Sequence, residues 1–174
     1  MKTFYTWHVT PIGPLLLAGS DETLERLHFS QGGKASAPDP LWSRDDNAFR
    51  QTKDQLDAYF AGGLRNFTLL LKPQGSPFQQ SVWRELQNIP YAQTTTYGEI
   101  ARRLGKPAAS RAVGLANGSN PIAIIIPCHR VIGSNGKLTG FGGGLDVKAR
   151  LLALERGERP LSLVTTSSRY DGSL

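Results

Sequence analysis

Cysteine is almost missing from this 174-residue chain, and Cys128 is its single example. One thiol cannot close an internal disulfide, which fits a reducing compartment, so a cytoplasmic location is expected. His8, His28 and His129 are scattered and no Cys-x-x-Cys pair exists. A bound metal is therefore not expected. No apolar run approaches the roughly 20 residues that span a bilayer, so no membrane partner is expected. The opening MKTFYTWHVTP lacks the uninterrupted apolar core of a secretory signal. Charge imbalance, too, is missing from most of the chain. Residues 1–76 hold eight Lys/Arg and eight Asp/Glu, and 161–174 hold one of each. Residues 77–160 hold eleven against five, so the whole net charge of +6 lies in the segment that carries Cys128. A localised basic excess suits a polyanionic partner, through phosphate contacts and counterion release, or else is only a basic solvated surface. What is present, 39% apolar and 20% charged residues, is the composition of a globular chain, enough for one ordinary domain or two small ones.

Residues 1–75 read as a small structural α/β domain. FYTWHV alternates, TPIGP turns, LLLAG resumes an apolar strand and LERLHFS supplies a third. QGGKASAPDPLW has the composition of a surface loop. DNAFRQTKDQLDAYFAGG predicts a helix capped by Asn47, with Phe49, Leu56, Tyr59 and Phe60 as its apolar stripe. NFTLLLK predicts one more strand. Nothing here has the pattern of a chemical site.

KPQGSP at 72–77 marks a boundary, and residues 76–160 read as a mostly helical domain. Ser76, Pro77 and Gln79 have the spacing of a capping box with proline in the first turn. The helix they open places Phe78, Val82, Trp83, Leu86 and Ile89 on one face. Two short helices follow, the first capped by a threonine of 94–96 and closed by Gly105, the second over about 109–117. This is helix-turn-helix spacing, which non-binding bundles also show. The second helix, SRAVGLANG, offers Ala112, Gly114, Ala116 and Gly118 with Arg111 and Asn117. Apart from Asn117 it lacks the polar side chains that read base edges in a major groove. Small residues let a helix approach a narrow minor groove while one arginine wedges between bases; they equally permit tight helix packing. IAIII predicts a fully buried strand, SNG a hairpin turn, and Asp146 the cap of a last helix that Gly157 closes. TGFGGG is a Gly-rich loop without the pattern of a phosphate cradle. The tail, 161–174, is expected to be mobile.

Cys128 is either a core cysteine or a nucleophile. Use as a nucleophile requires a base, itself oriented by a carboxylate. His129 is adjacent, yet neighbours in a strand point to opposite faces, so a chain turn or a bridging water is needed. Glu99, Asp146, Glu155 and Glu158 are the nearby carboxylates. Glu155 lies among leucines, either with a buried polar partner or one step off the inner face of its helix.

GLANGSNPIAIIIPCHRVIGSNGKLTGFGGG closely resembles the O6-alkylguanine-DNA alkyltransferases, with TTYGEIA and SRAVG before it and KARLLALERG after it. TPIGPLLLA and QLDAYFAG extend the resemblance to bacterial members over nearly the whole chain. It implies an α+β fold, with an N-terminal ribonuclease H-like domain on an antiparallel sheet and a C-terminal domain containing a helix-turn-helix. It also implies direct repair of double-stranded DNA. An alkyl group would pass from O6 of guanine, less readily from O4 of thymine, to Cys128 in a single turnover, with no cofactor. His129 would be the base through a water, Glu155 would orient it, and Asn120 would tie the helix pair to the active segment. Tyr97, Val131, Phe141, Gly142 and Lys148 would form the pocket for a flipped base. Arg111 would fill the vacated stack, with Ser110, Ala112 and Gly114 in the minor groove. A monomer is expected, with cooperative binding along DNA left open. Many relatives carry tyrosine at Phe141, some carry serine at Gly142, and alanine is common at Ser110. A lesion sensor without chemistry is the rival within the family, but such proteins replace the cysteine. A helix-turn-helix regulator would need polar base readers on 109–117, and a thiol hydrolase would leave the helix pair without a role.

Overall fold

In a computed structural model, residues 1–20, 22–30 and 36–158 can be described, and the tail expected at 161–174 lies outside them. The fold is α+β, with an N-terminal sheet domain followed by a helical one. Strands β1 (Phe4–Thr10), β2 (Gly13–Ser20) and β3 (Thr23–Phe29) form an antiparallel meander in which β2 is central. Leu15 and Leu17 of β2 stand opposite Phe29 and Leu27 of β3, and a register shift at Ala18/Gly19 brings Leu24 to the same face; the four leucines have no exposure. A two-residue strand β4 (Ser43–Arg44) pairs with β1 in parallel, so the sheet is antiparallel only in its meander. Helix α1 (Arg50–Phe60) covers the sheet through Thr52, Leu56, Tyr59 and Phe60. Its cap is not Asn47. Phe49 occupies that position in a left-handed conformation, with no side-chain bond, because its ring is buried in the core.

NFTLLLK is not a strand. It crosses the edge of β3 at one bridge, where the Leu24 N–H donates to Leu70 O and the Lys72 N–H donates to Leu24 O. Helix α2 (Pro77–Gln87) begins with the capping box expected from Ser76 and Gln79. A two-residue strand β5 (Thr95–Thr96) leads into α3 (Tyr97–Arg103), capped by Thr96, and a turn through Gly105 leads to α4 (Ser110–Gly118). Trp83 on α2 donates its indole N–H to Ala116 O at 2.8 Å, which fixes α4 against α2.

The expected IAIII strand is the main departure. All five residues are buried, but only Ile122 makes a bridge, to Leu27, and 123–125 form a turn in which Ile124 has φ of 71°. The cause is Asn120, whose Nδ2 donates to Ile126 O and whose Oδ1 accepts from the Ile122 N–H. An apolar run shows burial without showing which backbone achieves it. SNG does turn, through Gly136, but the strand before it, β6 (Val131–Ile132), pairs in parallel with β5 and not with a returning partner. Helix α5 (Leu145–Glu155) has Gly144 at its N-cap, and Asp146 lies exposed in the first turn without capping it. One apolar core runs through both domains.

Candidate active site

Cys128, His129 and Arg130 form a single 3-10 turn after Pro127. Successive side chains in such a turn lie about 120° apart, not the 180° of a strand, so all three can point inward. All three are buried. The last turn of α5 brings Glu155 beneath them, also buried. His129 Nε2 lies 2.7 Å from Glu155 Oε1. Arg130 donates through Nε to Oε2 and through Nη2 to Oε1, both at 2.9 Å, and through Nη1 to Ile89 O. The Tyr59 hydroxyl donates to Oε1 at 2.8 Å, and the Ala92 N–H to Oε2 at 3.3 Å. Among the other carboxylates, Glu99 pairs with Arg102 and Arg103, and Glu158 with Arg156.

Burial pushes the Glu155 carboxyl upward, but the hydrogen bonds and charges of His129 and Arg130 outweigh it and hold the pKa at about 2. Burial, with the charges of Arg130 and Lys148, lowers that of His129 against the hydrogen bond and charge of Glu155, which raise it. The imidazole is therefore neutral near pH 7. An ionised carboxylate only accepts, so the ring proton sits on Nε2. That leaves Nδ1 as an acceptor, buried and without a hydrogen-bond partner among the described residues. Burial raises the Cys128 thiol, against smaller lowering effects of a hydrogen bond from Asn120 and the charge of Lys148. The resting pair is thiol and neutral imidazole.

Cys128 lines a cavity of about 250 Å3 together with Asn117, Asn120, Phe141, Gly142 and, from β3, Phe29. Phe29 and Phe141 meet edge to face at 5.3 Å. Gly118, Ser119 and Gly140–Gly142 also border a wider open groove of about 1150 Å3. Tyr97, Ser110, Arg111 and Gly114 line that groove, and Tyr97 Oη lies 2.8 Å from Thr139 Oγ1. Ala112 is exposed on α4 but does not line it. Val131 and Lys148 stand behind the cavity: both are buried, and Lys148 Nζ donates to Val131 O at 2.6 Å and Thr139 O at 2.8 Å. Burial lowers the Lys148 pKa, opposed by Cys128.

Four features escaped the sequence. Asn117, the one base reader apparent on α4, is 4% exposed and faces the cavity, so it cannot reach base edges in a groove. Leu115 is instead the exposed apolar residue of α4 in the groove, at 71%. Arg130 and Lys148, two cations of the basic segment, are interior and add nothing to surface charge. A buried arginine beside the thiol could have been suspected from Glu155, since an interior carboxylate needs a cation. No local signal marks Tyr59. Among the described residues no cluster of His, Cys, Asp and Glu could hold a metal, and no helix is long and apolar enough to cross a membrane.

Residues 3–73 match the family described as 6-O-methylguanine DNA methyltransferase, ribonuclease-like domain, and 77–157 match its DNA binding domain. A methylated-DNA–protein-cysteine methyltransferase of Methanosarcina acetivorans is 55% identical over 152 residues, covering 87% of this chain and 97% of that one. One from Mycolicibacterium paratuberculosis is 56% identical over 155 residues, covering 88% and 93%. The crystal structure of Mycobacterium tuberculosis OGT in complex with DNA superposes with a TM-score of 0.86 at 51% identity, covering 91% of this chain and 96% of that one. With matches spanning both of its domains, this chain belongs to the 6-O-methylguanine DNA methyltransferase family.

Proposed function

We propose that this chain repairs double-stranded DNA by moving an alkyl group from O6 of guanine, less readily from O4 of thymine, onto Cys128. The observation that carries this is the buried Cys128 turn, with His129 held by Glu155, at the wall of a cavity that meets the α4 groove. The work divides between a structural domain, 1–75, and a DNA-binding and alkyl-transfer domain, 76–160.

A base inside a duplex cannot present O6 to a buried sulfur, so the nucleotide is rotated out, at a cost of a few kcal/mol. Arg111 on α4 fills the gap from the minor groove, where Ser110, Ala112 and Gly114 let the helix backbone come close. The flipped base lies against Phe141 and Gly142, with the carbonyl of Cys128 and the second lone pair of the Val131 carbonyl, whose first holds Lys148, accepting from its amino group. His129 Nδ1, through a water, takes the proton of Cys128, and Glu155 stabilises the imidazolium. Sulfur then attacks the alkyl carbon, the bond to O6 breaks, and its electron pair stays with guanine. Tyr97 supplies a proton to the ring, which improves guanine as a leaving group. The thioether has no leaving route, so each molecule reacts once. The alkyl donor is the lesion itself, and no cofactor takes part. A monomer in the cytoplasm meets these needs.

The test is a duplex with labelled O6-methylguanine. Stoichiometric label on Cys128 by peptide mass spectrometry, absent in Cys128→Ser, is expected. Binding without transfer would instead make the protein a lesion sensor. Arg111→Ala should slow repair of the duplex far more than reaction with free O6-benzylguanine. Equal losses would remove Arg111 from the role of plug.

A further inference from the structure

Tyr59 is completely buried on α1, in the domain with no chemical pattern in its sequence. Its ring is fixed by Phe60, Phe67 and Tyr91, at centroid distances of 5.3, 5.4 and 6.4 Å. A buried phenol needs an acceptor, and a backbone carbonyl would serve. Tyr59 instead crosses 96 positions of sequence to the carboxylate that holds His129. It shares one oxygen with the imidazole: Oε1 accepts from Tyr59 at 2.8 Å, His129 at 2.7 Å and Arg130 at 2.9 Å. Oε2 is occupied by Arg130 and the Ala92 N–H. A carboxylate has about four lone-pair positions, so these donors divide a saturated acceptor among themselves.

We infer that Tyr59 is a positioning residue of the alkyl-transfer site: its hydroxyl limits how strongly Glu155 supports the His129 imidazolium formed as Cys128 loses its proton. The inference rests on the proposed use of His129 as base. In that step the thiol proton goes to Nδ1, the Nε2 proton stays on the Glu155 side, and the phenol keeps its own. Burial and the adjacent Glu155 charge hold the phenol well above its ordinary pKa, so it donates at every working pH. The other groups facing this centre are Arg130 and Tyr91 beside Glu155, and Arg130 and Lys148 beside His129, with Lys148 also facing Cys128. From the sheet domain, Arg65 lies over the Tyr91 ring at 5.5 Å and opposes the rise of its pKa.

Removing the phenol oxygen leaves Oε1 more basic, which favours the imidazolium and raises the pH at which His129 is free to accept. The acid limb of transfer from free O6-benzylguanine, followed on the full chain, should move up by about half a unit to one unit in Tyr59→Phe. Site-specific 3-fluorotyrosine at 59, a stronger donor of nearly the same size, should move it down, and decides the matter if Tyr59→Phe does not fold. Glu155→Gln is the control on the base itself, and should slow transfer and move the limb down. If both Tyr59 variants leave the limb in place while Glu155→Gln moves it, Tyr59 is only a core residue. If Glu155→Gln also changes nothing, the assignment of His129 and Glu155 fails, and the role of Tyr59 with it.

Discussion

In the sheet domain the charged side chains lie at the surface, Arg44 paired with Asp46 and an exposed Asp57 beside His8, above a core of leucines. In the helical domain His129, Arg130, Lys148 and Glu155 are all inside. The first arrangement is what burial of apolar area selects by default. The second takes ions out of water, a cost that close pairing only partly offsets, and apolar residues could fill the same volume. The backbone differs in the same sense. The sheet domain satisfies its amides in regular ladders, whereas the segment around Cys128 relies on side chains such as Asn120 and Lys148 to occupy its carbonyls. Buried charge and irregular backbone thus coincide where chemistry is proposed, and the sheet domain joins in through Tyr59 and through Phe29 at the cavity wall.

That contrast can be broken from either side. The largest effect should come from Glu155→Ala, which leaves Arg130 buried without its partner. A loss of about 3–5 kcal/mol is expected in denaturant melts, together with loss of transfer. Leu17→Ala, in the centre of β2, should lose about 2–5 kcal/mol while the folded protein transfers at its normal rate. A fallen rate there would mean that the leucine core of the sheet, and not only Tyr59 and Phe29, shapes the site. Acid should separate the two domains next. Glu155 has its carboxyl depressed to about 2 from an ordinary 4.5, so its contribution is complete above pH 4.5 and is lost as pH falls through about 2. This acid-labile part, on the order of 1–3 kcal/mol, should disappear in Glu155→Gln when stability is followed against pH. Smallest is Asp57→Ala, which removes the exposed partner of His8 and should change stability by less than about 1 kcal/mol.

Much of the fold was legible because local chemistry was enough. The first hairpin follows from the turn residues of TPIGP, and α2 from Ser76, Pro77 and Gln79, whose bonds span only three residues. Errors arose where a distant contact overrode the local signal. Asn47 suited a cap, but burial of Phe49 set the helix start. NFTLLLK and IAIII had strand composition, yet a single bridge and the Asn120 side chain decided their paths. The site divides likewise. Cys128 and His129 were legible as neighbours, and Glu155 as one of two alternatives, solvated or partnered. Arg130 and Tyr59 were not assigned, since neither has a neighbour in sequence that betrays its use.

By itself, then, the sequence determined which reactive groups are present, that Cys128 and His129 are adjacent, and that the excess positive charge belongs to residues 77–160. Only the tertiary structure decided that Cys128 and His129 turn inward together, that Glu155 is shared by His129, Arg130 and Tyr59, and that Asn117 points away from the groove. The physical reason is range. Capping and alternation act within a few residues, whereas the basicity of a buried carboxylate depends on every donor that folding brings to it.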